Sequence, residues 1–583
     1  MKSRRSQFWL LGVAALLAAI ALLWQTGWLD RAANPAPDAA MGAPARGGRL
    51  IATYRSEPQT FNRLVSPRAP EELVRLLTHG SLVRVNRVTQ QLEPRLATTW
   101  TSSADGRNWT LTLRDDVRFS DGTPFTSADV VFTFRALYDE KAAGVMASTV
   151  RVDGQPLRVT ALDDRTVRVD FPEVHGPGLA MFDGVPILPR HKLERYLDAG
   201  TFQEAWSTTT PPSDIAGLGP FMLDEYVPGV RLVFTRNPHY WASEGGVRLP
   251  HLDAIELRIV PEQNAEVLQL ETGSADVIND FVRPEDLTSF NRLAEQGRVQ
   301  VVPVGASINA DLLWFNLVPG AASAAGRPWL QREELREAVS HAVDRQAIVD
   351  TVYLGEAVPI EGPVTPGHGI WYAGDIPIRS HDPARARSLL QSIGLEDRTG
   401  DGRLEDAGGR PARFTILTQK GHTLRERTMA MIQQQLAAVG LQVDILPLDS
   451  GSLNGRFKTQ DYDAMYFSVS ADSADPMAAS QFWLSSGGFH FWHPAQTTPA
   501  TAWEAEIDQL MTRQAVTLDV NERRRLFAQV QRIFADHVLA MTFAAQRHTV
   551  VMSARVHGAT PSVLSPPVLW NAEALSLRAP APR

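Results

Sequence analysis

Residues 109–114 (Trp-Thr-Leu-Thr-Leu-Arg) alternate apolar and polar side chains, the period of a half-buried strand, and 49–55 and 255–260 read as further strands. Residues 159–171 fold back around Asp163-Asp164 as a hairpin. Between these runs the spacing becomes helical. One helix covers 70–78, with Glu71 and Glu72 in the first turn, where the helix dipole favours acid. Another opens at the capping box Thr126-Ser-Ala-Asp129 and runs to about Leu137; a third follows the 255–260 strand through Leu270 and stops near Gly273. The second half is more regular. A helix is expected over 332–354 and another from the N-cap Asp382, with Pro383 at its first position, to Gly394. Residues 414–418, 424–439 and 441–446 then spell strand, helix, strand, a crossover within a parallel sheet. A strand over 463–470 and helices over 504–515 and 521–537 complete a mixed α/β chain, punctuated by Pro/Gly-rich linkers at 217–220 and 359–369.

Residues 8–24 break this pattern, being apolar and uncharged, and Lys2, Arg4 and Arg5 precede them. This is the arrangement of an export signal. The run is long for a cleaved signal and short for a span, so cleavage and retention as an anchor both fit. Residues 1–30 are read as export signal or N-terminal membrane anchor, and the Ala/Pro/Gly-rich 31–47 as a tether. Ser3-Arg4-Arg5 hints at twin-arginine export, but Ser6-Gln7 and the very apolar run favour ordinary secretion. Either way the basic end stays in the cytoplasm and the body lies outside it, in a periplasm or at the cell exterior.

Composition narrows the function. The 583 residues suffice for three or four domains. Lys+Arg 57 against Asp+Glu 65 leaves a net charge of −8 with no long basic run, which argues against a nucleic-acid partner. Cysteine is absent, which removes disulfides, thiol nucleophiles, Cys-ligated zinc, iron–sulfur clusters and a lipid-modified N-terminal cysteine. The sequence has no G-x-S-x-G, P-loop or H-E-x-x-H, and both Gly217-Leu-Gly219 and Gly400-Asp-Gly402 lack the third glycine of a dinucleotide fingerprint. His490 and His493 offer ring nitrogens at i,i+3 but no carboxylate stands near them in the sequence, so a surface loop is expected rather than a metal site. Asp397, Thr399, Asp401 and Glu405, with Gly402 sixth, match the first nine positions of a calcium loop. Gly408 occupies the place of the closing carboxylate, and a polar glycine turn is the expectation. Trp371, Trp483, Trp492 and Trp503 are expected mainly in cores, and the charged run 521–525 on a solvated helix face. No catalytic residue, metal or cofactor is assigned.

Several segments together carry a family resemblance. Leu92-Glu-Pro-Arg-Leu-Ala-Thr-Thr-Trp100, Ser103-Ala-Asp-Gly-Arg-Asn-Trp109 and Val117-Arg-Phe-Ser-Asp-Gly-Thr-Pro-Phe-Thr-Ser-Ala-Asp129 resemble the signature of solute-binding protein family 5, the dipeptide- and oligopeptide-binding proteins of ABC importers. The likeness continues through Ile187-Leu-Pro-Arg-His191, Arg236-Asn-Pro-His-Tyr-Trp241, Ala342-Val-Asp-Arg345 and Leu569-Trp-Asn-Ala-Glu573, from about Gly48 to the end. It implies a periplasmic-binding-protein-like fold (type II, cluster C), a two-lobed hinged clamp with an additional inserted domain. Lobe I would comprise 48–80, 178–303 and 541–583, the inserted domain II 81–177, and lobe III 304–540. It also implies a non-enzymatic monomer that closes on a peptide and is recognised in its closed state by an ABC permease in the inner membrane. The turn Asp121-Gly122-Thr123-Pro124 fits a structural role.

For the site, the rule that ligands sit beyond the carboxyl ends of strands nominates the segments after 49–55 and 463–470. The second, Ser470-Ala-Asp472-Ser-Ala-Asp475-Pro476, resembles the family segment whose first aspartate binds a peptide's free ammonium, and the resemblance gives that role to Asp472. Ser470 and Phe467 are its expected neighbours, and Ser66, Pro67 and Ala69 the expected contacts on the other lobe. Phe467-Ser-Val469 stands where many relatives have Gly-Trp, and no basic residue near Asp472 is evident to receive a peptide carboxylate. Two alternatives stay open: a non-peptide solute such as a nickel chelate, haem or a sugar on the same scaffold, and a secreted hydrolase using Asp472 and Asp475. Carboxylates three apart in a loop do not flank a substrate as hydrolysis needs.

Overall fold

Strand β1 (Arg49–Tyr54) enters the middle of a large sheet and is followed by helix α1 (Ala69–Thr78). Strands β2 (Ala97–Ser102) and β3 (Asn108–Leu113), helix α2 (Ser127–Tyr138), and strands β4 (Arg158–Asp163) and β5 (Thr166–Asp170) build a small antiparallel sheet in the order β2-β3-β5-β4. The expected capping box is complete, with the Thr126 amide donating to Asp129 Oδ2 at 2.9 Å. The chain returns to the large sheet with β6 (Phe221–Val227), β7 (Arg231–Arg236), β8 (Ala254–Ile259), helix α3 (Gln263–Thr272), β9 (Val277–Ile278) and β10 (Val299–Ala306). Gly273 ends α3 in the left-handed region, φ 76°, where glycine carries no Cβ penalty.

The chain then crosses to a second sheet. It runs through β11 (Asp311–Phe315), α4 (Glu333–Ala342), α5 (Arg345–Thr351), β12 (Ala357–Pro359), α6 (Pro383–Ser392), β13 (Arg413–Gln419), α7 (Thr423–Ala438), β14 (Gln442–Leu448) and β15 (Ala464–Ser468). Helices α8 (Ala502–Ala515) and α9 (Val520–Asp536) follow, and β16 (Ala544–Ser553) carries the chain back. The large sheet runs β6-β7-β8-β1-β9-β16-β10 with β12 pairing on β16, and the second sheet β11-β15-β13-β14. The expected crossover is present, β13 lying parallel to β14 and β15. This computed structural model describes residues 44–142, 144, 146–468 and 473–578. All the labelled elements belong to one compact unit, Arg46–Leu577; the other unit is Met1–Ala45 with Arg578–Arg583.

One expected helix is two. The apolar period of 332–354 continues through Val343, yet Asp344 turns out of the helix and accepts the Ala347 amide at 3.0 Å, capping α5. Side-chain competition for a backbone amide outweighs periodicity there. The second sheet is buried on both faces: along β11, Leu313 and Phe315 enter one core while Leu312 and Trp314 enter another. A strand covered on both sides reads as a continuous apolar run, as Leu312-Leu-Trp-Phe315 does.

The two sheets are joined by two side-by-side crossings, from β10 to β11 and from α9 to β16. Leu313 and Met541 exchange both backbone hydrogen bonds at 2.8 Å, and the Ser307 amide donates to the Gln546 carbonyl at 2.8 Å. The expected 359–369 linker lies against them: Thr542 Oγ1 donates to the Gly362 carbonyl, and Gly367 sits so close to the Ala306 carbonyl that a Cβ would overlap it. The carboxyl ends of β1, β8 and β9 lie at the sheet edge from which β10 leaves. In the second sheet Ser468, the end of β15, pairs with Asp311, the first residue after the crossing. Both sheets therefore present strand carboxyl ends toward the crossings.

Candidate functional site

On the large sheet the edge is ionic. Arg55, just after β1, donates from Nε to Glu266 Oε2 at 2.6 Å and pairs through Nη1 with Asp280 Oδ2 at 3.3 Å. Glu266 is fully buried, and burial pushes both carboxyls up against the pull of Arg55. The Asp280 side chain keeps 35% of its surface, so this desolvated carboxyl is still reached by solvent. Burial and Asp280 push the Tyr54 phenol up to about 12. Phe281 stacks on His548 of β16 with ring centroids 3.8 Å apart, and burial holds that histidine at about 4, neutral at pH 7. None of Tyr54, Arg55, Asp280, Phe281 and His548 was evident from sequence. The rule of strand carboxyl ends would have found Asp280 had β9, two residues long, been legible as a strand.

The segment after β1 borders an open depression of about 550 Å³ lined by Glu57, Gln59, Arg68, Thr208 and Tyr226 among others. Glu57 organises it, accepting from Tyr226 Oη at 2.9 Å and the Gly229 amide at 2.7 Å. Of the expected contacts, Ser66 is half-buried with its carbonyl accepting from Arg63 at 3.1 Å, and Pro67 and Ala69 are exposed. Arg68, between them, is the residue that lines the depression.

On the second sheet, Phe467 lies half-buried beneath the guanidinium of Arg425, 4.8 Å from its ring centroid. Arg425 stands in the first turn of α7, only 3% exposed. It donates to Asp311 Oδ1 from Nε at 2.9 Å and Nη2 at 2.8 Å, to Ser468 Oγ at 3.1 Å and to Gln419 Oε1 at 3.3 Å. Burial, reinforced by Asp311, pushes the neighbouring Tyr353 and Tyr466 phenols well up. Ser470 and Asp472 lie outside the described residues. The chain is described again from Ser473, and Asp475 accepts the Met477 amide at 2.9 Å and a bidentate pair from Arg523 at 2.9 and 2.7 Å. Basic side chains thus reach described residues on either side of that stretch, Arg425 at Ser468 and Arg523 at Asp475, each brought from a distant helix.

A family model described as bacterial extracellular solute-binding proteins, family 5, matches residues 91–491. The chain belongs to that family. Among its relatives are a probable ABC transporter-binding protein of Deinococcus radiodurans (25% identical, covering 88% of this chain and 89% of the relative) and the oligopeptide-binding protein AppA of Bacillus subtilis (25%; 94% and 95%). The nickel-binding periplasmic protein of Escherichia coli is 24% identical, covering 79% of this chain and 80% of that one. Solved structures sharing the fold include Bacillus subtilis AppA in complex with a nonapeptide (TM-score 0.68, 22% identity, 92% of this chain and 100% of that one) and NikA from Brucella suis in complex with Fe(III)-EDTA (TM-score 0.75, 21%, 91% and 100%). The mixed α/β clamp architecture is that of family 5 solute-binding proteins.

Four further expectations meet the structure of this family 5 protein. The signature aspartate Asp121 bonds His191 Nε2 at 2.8 Å and the Thr123 amide at 3.1 Å, tying a turn to a helix. His490 is not in a surface loop: it is 1% exposed, its ring tilted at 53° against Trp492, with Nε2 3.2 Å from Glu504 Oε1. Burial would raise the Glu504 carboxyl, but His490, Gln496 and Thr501 together hold it at about 2. Arg523 is not on a solvated face either; its side chain is 4% exposed, against Asp475 and above the Trp371 ring, while Arg524 and Arg525 are exposed. In the 397–405 turn, Asp397 accepts the Gly400 and Gly402 amides at 2.7 and 2.9 Å and Glu405 the Arg398 amide at 2.8 Å. Among the described residues no group of three or more His, Asp or Glu is arranged to hold a metal ion, and no helix is long and apolar enough to cross a membrane. Residues 8–24 lie outside them.

Proposed function

We propose that this family 5 protein captures peptides outside the cytoplasm, in the periplasm, and delivers them to an ABC permease without chemical change to the ligand. The observation that carries the reading is the double crossing, with strand carboxyl ends of both sheets turned toward it. Two sheets joined by two adjacent strands hinge rather than shear, and a solute between them is enclosed when they close. The names of relatives such as the oligopeptide-binding AppA support a peptide as that solute. Asp472 holds its ammonium, with Phe467 and Ser470 beside it. A carboxylate in a closing cleft is costly unless paired, and removing one member of such a pair costs about 3–5 kcal/mol. Asp475, the other carboxylate of a hydrolytic reading, is already engaged bidentately by Arg523.

The test is native mass spectrometry of protein from its own host, then denaturation and identification of what is released, with Asp472→Ala beside it. Short peptides present in the wild type and lost from the variant are the expected result. The nickel-binding relative and the Fe(III)-EDTA complex favour a second reading, a metal chelate as ligand. Recovery of a chelate or another non-peptide solute would replace the peptide, and cleaved fragments of an added peptide would establish a hydrolase.

A further inference from the structure

A loop leaving the small antiparallel sheet meets the helices packed on the second sheet, away from the crossings. The loop after β5 reaches the α8–α9 hairpin, where the Gly176 amide donates to the Ala515 carbonyl at 2.6 Å, one of the carbonyls a helix leaves unpaired at its end. Gly176 fits only because it has no side chain. A Cβ there would stand 2.7 Å from the Thr517 carbonyl oxygen, 2.8 Å from that of Gln514 and 2.9 Å from Arg523 Nε. Two of these are backbone atoms that cannot swing aside. Beside it, in the loop between β2 and β3, a Cβ at Gly106 would stand 2.7 Å from Leu518 Cδ1.

We infer that residues 174–176 and 514–523 form a closure latch, a contact between the inserted antiparallel domain and the α8–α9 hairpin that exists only when the clamp is shut. Arg523 links the latch to the ligand segment. Its Nη atoms hold Asp475, three residues beyond Asp472, its ring partner is Trp371, and its Nε faces Gly176 with no hydrogen-bond partner among the described residues. The latch requires only the hinged clamp; its coupling to ligand through Asp472 rests on the peptide reading above.

The chain has no cysteine, so an introduced pair reports alone. Leu518→Cys places sulfur near the present Cγ, 3.6 Å from the Cβ position at 106, within reach of a disulfide to Gly106→Cys. Under mild oxidation the rate of that cross-link reports the closed population, whatever the ligand. Gly176→Val should slow it at least tenfold and Gly176→Ala to a smaller extent, while Gly184→Val, where a Cβ meets nothing within 4 Å, should leave it unchanged. Equal rates in all four backgrounds, or no cross-link in a parent whose thermal midpoint shows that it tolerates cysteine at position 106 (φ 70°), would overturn the latch. If Gly176→Val does not fold, the Gly176→Ala rate decides by the same criterion. Should the bound solute prove not to be a peptide, these rates are untouched, so the two ideas fail separately.

Discussion

Asp311→Ala is the perturbation with the most definite consequence. Asp311 takes two of the hydrogen bonds of Arg425 and supplies the opposite charge to a guanidinium that is 3% exposed. Without it, Ser468 Oγ and Gln419 Oε1 still accept, but the charge stands buried and unpaired. Breaking a buried pair in this way costs about 3–5 kcal/mol. For a unit of about 530 residues, with about 2.1 cal/mol/K of unfolding entropy per residue, each kcal/mol moves the midpoint by about 1 °C, so the transition should fall by roughly 3–5 °C in scanning calorimetry. Asp311→Asn keeps an acceptor and should lose less, on the order of 1.5–3 kcal/mol for hydrogen bonds to a charged group. Removing both charges with Asp311→Leu and Arg425→Met should recover most of the loss, since apolar packing replaces a buried ion pair at little net cost. A midpoint within about 2 °C of wild type for Asp311→Ala, or a double variant as unstable as the single one, would refute the reasoning.

Other outcomes follow from the same structure. Burial holds His175, His368 and His548 at about 4, and burial together with Arg75 holds His79 at about 3, against an ordinary 6.5. The unfolded chain therefore takes up protons below pH 6.5 that the folded chain refuses, and stability present above 6.5 is lost as pH falls toward 4, by up to ~3 kcal/mol for each ring at ~1.4 kcal/mol per pH unit. Urea midpoints at pH 7.5, 6 and 4.5 should fall in that order; a flat series would contradict it. Glu72 and Glu504, both held at about 2, should add a separate loss only below about pH 4.5. Gly219→Ala should cost about 1–3 kcal/mol or more, because a Cβ there overlaps the Thr78 carbonyl carbon at the end of α1, whereas Gly184→Ala should be silent in the same thermal assay.

Gly217-Leu-Gly219 reads locally as an incomplete nucleotide loop, and it is instead the place where two backbones touch, the Gly219 amide donating to the Thr78 carbonyl at 2.9 Å. The elements themselves were legible because their causes are local. The Thr126–Asp129 capping box, Asp382 accepting the Arg385 amide at 2.8 Å, and Gly273 in the left-handed region all act within a few residues. So were the family and its clamp, since its motifs lie in order along the chain.

What the sequence could not determine is which charges end up inside. Arg523 in Asn-Glu-Arg-Arg-Arg525 has the local look of a solvated helix face, and His490 that of a loop residue, until α8 and α9 pack over them. Arg55 meets Glu266 across 211 positions, Arg425 meets Asp311 across 114, and Arg523 meets Asp475 across 48. Helix period and capping depend on neighbours a few residues away. The partner of a buried charge is instead chosen by desolvation, which only the assembled core imposes, so the ion pairs flanking the cleft belong to the tertiary structure and its elements to the sequence.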